Sequence, residues 1–451
     1  MNRICAVFEV NYDNLSVIAF KSDFTVVYEN KIVKPQVLDD EGDSCDDLMG
    51  IKNFVLSEVN NLKHLPDYYL KAINFTCFAG AVVHLDANNE PVTPLYHSHK
   101  NLGYRTRQSF IQKHGDEELL RKYLQIPEFT FESAALQVFW LKSQKPDLFK
   151  KVKYSVTLTQ YLQGLFTKSY AHEVTFLGAF SGMYDFEREE MHAWVKNEHL
   201  HSLELPIVHS EEVIEIDDVL IGQGIYHKIA SVIPFERCAS NQFILLNTGV
   251  WTTCLNPYNR SKANLKNLNN DSFNVLSNTG KLMRMSKLFS GDEHNRQIKY
   301  LAEHFNCPPD FYLNMKYDRN VIMNLRQRIV QVTPEATELG GMIDCPFMER
   351  NINNFATIEE AYHQFIMDLI AQQVASIKQT FDHQINRKIY IEGGLAQNEI
   401  FITLMSEAFH DKQLYKVEYN YLSAMGAAIC IGQHWGAEKV NMETLTCEPV
   451  D

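Results

Sequence analysis

Three short stretches hold residues whose types and spacing suit the handling of an anionic ligand. In KIYIEGGLAQNEIF, residues 388–401, a β-rich run from Ile389 to Glu392 stops at Gly393-Gly394, and an apolar-periodic segment restarts at Asn398. Paired glycines remove two Cβ atoms and permit positive φ, so a flat or anionic ligand can reach the backbone where the next helix presents unpaired N–H groups. In LLNTGVWTT, residues 245–253, Thr248-Gly249 falls at a turn between two strands. A hydroxyl beside flexible amides is the combination that wraps a phosphate. SAMGAAI at 423–429 supplies small residues where a helix must pack closely. Each stretch also has a plain structural counterpart: a strand-to-helix turn, a hairpin turn and a packed helix. Their combination is what points to a ligand.

The elements that must position these residues follow from periodicity. Arg3 to Val10, Leu15 to Phe20 and Thr25 to Tyr28 alternate in strand fashion around the turn-rich NYDN and KSD, which predicts a β-meander at the start of the chain. A helix is predicted around Leu48 to Leu62, then strands near Leu70 to Cys77 and Val82 to Leu85, and an Asn/Pro-rich loop. Residues 116–167 read as mainly helical, strand character returns near Glu173 to Phe176, and a charged helix contains His192 and Trp194. A domain boundary is placed just beyond Pro234. FILLNTGVWTTCL then echoes the N-terminal ICAVFEVNYDNLSVI, which suggests two domains with related cores. Thr357 with Glu360 forms a capping box, and Ile358, Tyr362, Phe365, Leu369 and Ile370 share one face of the helix that follows.

Composition narrows the class. A chain of 451 residues exceeds the usual size of one core, so two domains are expected. With 45% hydrophobic and 12% aromatic residues it is globular rather than disordered. A net charge of −14 without a Lys/Arg stripe argues against nucleic acid and against anionic membrane surfaces. Nine dispersed cysteines without a CxxC pair indicate neither a zinc cage nor a complete disulfide framework, and a reducing cytoplasm is the expected setting. No stretch of 18 apolar residues suggests a membrane span.

Together, FILLNTGVWTT (243–253), IYIEGGLAQNEIFITLMSEAF (389–409) and LSAMGAAI (422–429) resemble the C-terminal half of the FGGY carbohydrate kinases. QVFWLKSQKPDLFKKVKYSVTLTQYLQGLFT (137–167), GMYDFEREEMHAWV (182–195) and HLDANNEPVTPLY (84–96) resemble the N-terminal half, with a flavour closest to rhamnulose and fuculose kinases. The resemblance implies an α/β fold of two ribonuclease H-like (actin-like ATPase) domains with a central cleft, 1–238 on the sugar side and 239–451 on the nucleotide side. It implies ATP and Mg2+ as cofactors, a small-molecule sugar as substrate and phosphorylation of a sugar hydroxyl. On this pattern Asn14, Thr248, Gly249 and Thr252 lie at the phosphates, and Gly393, Gly394 and Asn398 at the adenosine. Tyr226 stands at the sugar, His227 at the catalytic base, and Glu9 serves catalysis and the metal. Oligomeric state is open, a dimer among the options.

The same comparison marks departures. Where the family has an Asp-x-Gly-x-Thr/Ser-like hairpin, this chain reads Glu9-Val10-Asn11-Tyr12-Asp13-Asn14. Asn11 tolerates the turn. Asp13 sets an anion where a hydroxyl should meet phosphate, a repulsion of about 1 kcal/mol in water and about 4 at a partly shielded site. GIYHKIASVIP places His227 at the family's general-base Asp. An imidazole accepts a proton near neutral pH but supplies no negative charge. Two functions are therefore expected to compete: an ATP-dependent sugar kinase, and an inactive kinase-fold protein that binds sugar, nucleotide or a protein partner.

Overall fold

The computed structural model describes residues 2–329, 345–381 and 388–450. It divides into two compact units, the first made of 1–238, 274–282 and 421–444, the second of 239–273, 283–420 and 445–451. Two segments beyond the expected 238/239 boundary thus join the first unit. For the second of these, local packing gives the reason: the Asn74 amide donates to the Ala427 carbonyl at 2.9 Å, and a Cβ on Gly426 would lie 1.8 Å from the Ala230 carbonyl oxygen. Only glycine permits that approach.

In the first unit the expected meander forms: Asn2–Val10 pairs antiparallel with Asn14–Lys21, which pairs with Val26–Val33. Tyr68–Cys77 lies parallel on the other side of Asn2–Val10, followed by Val219–Gly222 and Val213–Ile216. Ile4 to Phe8 are essentially inaccessible on both faces, so the alternation expected of Arg3 to Val10 gives way there to a continuous buried run. The register sets rows across the strand ends. Glu9 stands beside Thr76 and Thr76 beside Ile225; Val10, Cys77 and Tyr226 form the next row.

The second unit repeats the plan. Phe243–Thr248 pairs antiparallel with Thr252–Asn256, which pairs with Leu282–Leu288. Lys388–Gly393 lies parallel on the other side of Phe243–Thr248, and Gln413–Val417 lies parallel beyond it. Tyr362, Phe365 and Leu369 from the helix Ile358–Lys378 pack with Ile244, Leu246, Ile389 and Ile391 in the core of this unit.

Several local expectations change. Strand character near Glu173 to Phe176 is confined to His172–Glu173, because the Glu173 carboxylate accepts from the amides of Thr175 and Phe176 and starts the helix Val174–Gly178. Within the stretch read as helical, Tyr154–Thr157 is a strand paired with Val82–Leu85. His192 caps the helix Ala193–Asn197 rather than lying inside it. Thr357 caps its helix by accepting from the Glu360 amide, but the Glu360 carboxylate reaches back to the Ala356 amide, so the box closes one residue early. All nine cysteines are free thiols, and no helix among the described residues is long and apolar enough to cross a membrane.

Candidate functional site

In the first unit the residues expected to act lie at one end of the sheet. Glu9 is buried, and its two carboxylate oxygens accept from the hydroxyls of Ser16, at 3.2 Å, and Ser423. Burial pushes its carboxyl upward, opposed by those two donors. Asn14 ties the turn to itself: its side-chain oxygen accepts from the Asn11 amide group at 3.1 Å and its own amide group donates to Asp13. Asp13 is exposed, so its charge is spent in solvent. Tyr12 instead turns onto Phe78, with ring centroids 4.5 Å apart, and lies within stacking range of His99.

Tyr226 is buried, its amide donates to the Thr175 hydroxyl at 2.9 Å, and its ring stacks on His227. His227 opens the short helix His227–Ala230 and is half-buried; burial, then the neighbouring Lys228 charge, holds its pKa well below the ordinary histidine value. The imidazole is therefore neutral at physiological pH and a weak proton acceptor. Lys228, beside it, is buried as well.

The second unit holds a cavity of about 540 Å³, a volume suited to a nucleoside-sized ligand. Thr248, Gly249, Gly394 and Asn398 line it, and sequence reasoning had singled out all four. Their roles differ. Thr248 is buried, and its hydroxyl donates to the Glu392 carbonyl at 2.6 Å while accepting from the Leu395 amide at 3.1 Å, so it staples the hairpin to the glycine turn. Gly393 has φ +91°, and a Cβ there would sit 2.4 Å from the Thr248 carbonyl oxygen; Gly394 has open space instead. The first glycine is thus required by the fold, and the second faces the cavity. Thr252 is buried and bonded to the Ser290 hydroxyl, which ties the hairpin to the helix Ser290–Phe305.

Asn398 caps the helix Glu399–Ala408: its side-chain oxygen accepts from the Phe401 amide at 2.9 Å, and its amide group donates to the Tyr362 hydroxyl at 2.6 Å. That hydroxyl lies 2.8 Å from Nε2 of His294, a further cavity-lining residue, whose pKa burial lowers to about 4. Tyr312, Leu313 and Met315 add an apolar wall, and Lys316 pairs with Glu399 at its rim. Sequence reasoning missed His294 and read Tyr362 only as core. A histidine in an amphipathic helix carries no local signal of a cavity whose apolar wall and glycine turn lie 18 or more positions away.

Mg2+ keeps several of its own waters and is held by one or two carboxylates together with substrate phosphates. Each Glu9 oxygen accepts from one serine hydroxyl, which leaves a second lone pair on each that a magnesium-bound water would use. Among the described residues no group of three or more His, Cys, Asp or Glu is arranged to hold a metal ion.

Two units that each join an antiparallel three-strand meander to parallel strands define the class: an α/β sugar-kinase fold of two ribonuclease H-like domains, the architecture of the actin-like ATPases. Residues 13–212 match the model of the FGGY family of carbohydrate kinases, N-terminal domain. No curated protein matches the sequence. Among solved structures, a carbohydrate kinase from Novosphingobium aromaticivorans aligns with TM-score 0.76 and 14% identity, over 99% of this chain and 96% of that one. A ligand-bound xylulose kinase from Lactobacillus acidophilus aligns with TM-score 0.77 and 13% identity, over 100% and 93%. Glycerol kinase from Plasmodium falciparum, solved with ADP, aligns with TM-score 0.72 and 12% identity, over 96% and 89%.

Proposed function

We propose that the whole chain is an FGGY-type carbohydrate kinase, that it binds ATP through the cavity of the second unit, and that it transfers the terminal phosphoryl group to a sugar hydroxyl. The observation that carries this reading is the cavity itself, where Gly394, Asn398 and the Thr248-Gly249 turn converge. In this reading the cavity takes the adenosine, His227 accepts the proton of the attacking hydroxyl, and Tyr226 fixes the imidazole face. A base whose pKa lies well below neutrality gives little driving force for proton transfer, so slow turnover is expected. The motif flavour favours a ketose such as rhamnulose or fuculose as substrate.

A second reading, a nucleotide- or sugar-binding protein without turnover, is favoured by one specific arrangement. Glu9 is engaged by two serine hydroxyls, and Asp13 stands where the family pattern has a hydroxyl. Calorimetric titration with ADP and ATP tests the shared part, and absence of heat at millimolar nucleotide sinks both nucleotide readings. ADP release over a panel of rhamnulose, fuculose, xylulose, gluconate and glycerol then separates them. Turnover abolished by His227→Ala supports the kinase. No turnover in the native chain, with turnover gained by combined Glu9→Asp, Asp13→Thr and His227→Asp, supports the binder.

A further inference from the structure

The cavity of the second unit contains a hydrogen-bond chain whose direction is fixed at its far end. The Phe401 amide can only donate, so the Asn398 atom that it meets at 2.9 Å is the side-chain oxygen, and this settles the flip of the amide. The Asn398 NH2 group therefore points to the Tyr362 hydroxyl, at 2.6 Å, and donates to it. Tyr362 has one proton to give, and among the described residues the one acceptor it meets is Nε2 of His294, at 2.8 Å. Accepting at Nε2 leaves the neutral imidazole with its proton on Nδ1. His294 is more than nine-tenths buried and lines the cavity, and Nδ1 makes no hydrogen bond to any described residue. The ring is held edge-on by Tyr312, with centroids 5.0 Å apart and planes at 82°, and is flanked by Phe365.

Building on the nucleotide reading above, we infer that His294 is the base-reading residue of this cavity: its Nδ1–H, set by the Asn398–Tyr362 relay, donates to a ring-nitrogen acceptor of a purine. The apolar wall of Tyr312, Leu313 and Met315 covers the purine face, and the single donor fixes its orientation. The relay does this without charge, which suits a site that excludes water from one side of a neutral base. Asn398 has two tasks at once: its oxygen caps a helix and its nitrogen sets a tautomer two residues away along the chain of bonds.

The test combines binding and spectroscopy on the full chain. Calorimetry with ADP and its 1-deaza, 3-deaza and 7-deaza analogues should show one analogue binding about tenfold more weakly than ADP, the worth of one hydrogen bond to a buried donor. His294→Ala should weaken ADP by the same factor and abolish the discrimination, and His294→Asn, which keeps a donor near the Nδ1 position, should restore part of it. Long-range 15N–1H correlation spectra should show His294 in the Nδ1–H form. Asn398→Asp, still a good helix cap, cannot donate to Tyr362 and should shift that signature to Nε2–H, a change that a merely structural role would not produce. Equal affinity for ADP and all three analogues, or an Nε2–H tautomer in the unaltered chain, overturns the inference and leaves nucleotide binding intact. Absence of ADP binding overturns both. Should His294→Ala fail to fold, the analogue series and the spectra of the unaltered chain decide alone.

Discussion

Thr248→Val separates a residue that holds the cavity's shape from one that touches phosphate. Valine keeps the shape and β-propensity of threonine and deletes only the hydroxyl. In this structure the hydroxyl gives its one proton to the Glu392 carbonyl at 2.6 Å and accepts from the Leu395 amide at 3.1 Å, in a residue only 3% exposed. Leu395 is itself buried, and its amide meets no other acceptor among the described residues, so the substitution orphans a buried donor. That costs about 1–3 kcal/mol, and the bond lost at the Glu392 carbonyl adds about 1. At about 2–4 °C per kcal/mol for a body of this size, the melting temperature should fall by on the order of 10 °C. Thr248→Ser keeps both bonds and should lose far less. Scanning calorimetry with urea unfolding measures stability, and ADP titration in parallel measures the cavity. A Thr248→Val protein that melts with the unaltered chain but has lost ADP would refute the staple and return the hydroxyl to the ligand.

Gly393→Ala should be destabilising by more than about 2 kcal/mol, from a strained positive φ and a Cβ 2.4 Å from the Thr248 carbonyl oxygen, whereas Gly394→Ala meets open space and should leave stability unchanged while weakening ADP. Urea midpoints of the two variants check this; equal losses would refute it. Glu173, buried and accepting from Ser210, Thr175 and two backbone amides, is raised by burial from 4.5 to about 7. A raised carboxyl favours the folded state most below pH 4.5 and loses that favour as pH climbs to about 7. The first unit should therefore be more stable at pH 5 than at pH 8 by up to about 3 kcal/mol, at 1.36 kcal/mol per pKa unit. Glu173→Gln should flatten that slope in urea titrations. For any turnover found, the low pKa of His227 means that the rate should show no acid limb near pH 6.5, and a limb centred there would place the base elsewhere.

Local pattern was enough for the elements that hold the cavity. The strand ending at Gly393, the helix restarting at Asn398 and the hairpin around Thr248-Gly249 all form where periodicity and turn chemistry put them. The first meander and the hairpin that opens the second were equally legible, since each lies in continuous sequence, whereas the second copy's third strand, Leu282–Leu288, follows an intervening helix and strand and was not read from the sequence. Local pattern misled where a side chain acted on backbone: Glu173 ended a strand by capping a helix, and the Glu360 carboxylate reached Ala356 rather than Thr357.

What the sequence determined by itself were the contiguous features: charge, the two similar hairpins, and the glycine turn that follows the second of them. What only the tertiary structure decided is which atoms those features leave available. Thr248 lines the cavity yet spends its hydroxyl on the backbone, Glu9 spends its carboxylate on two serines, and His294 receives its tautomer from Asn398 through Tyr362. Hydrogen-bond partners are supplied by neighbours in space, and those neighbours stand 7, 36, 68, 144 and 414 positions apart along the chain.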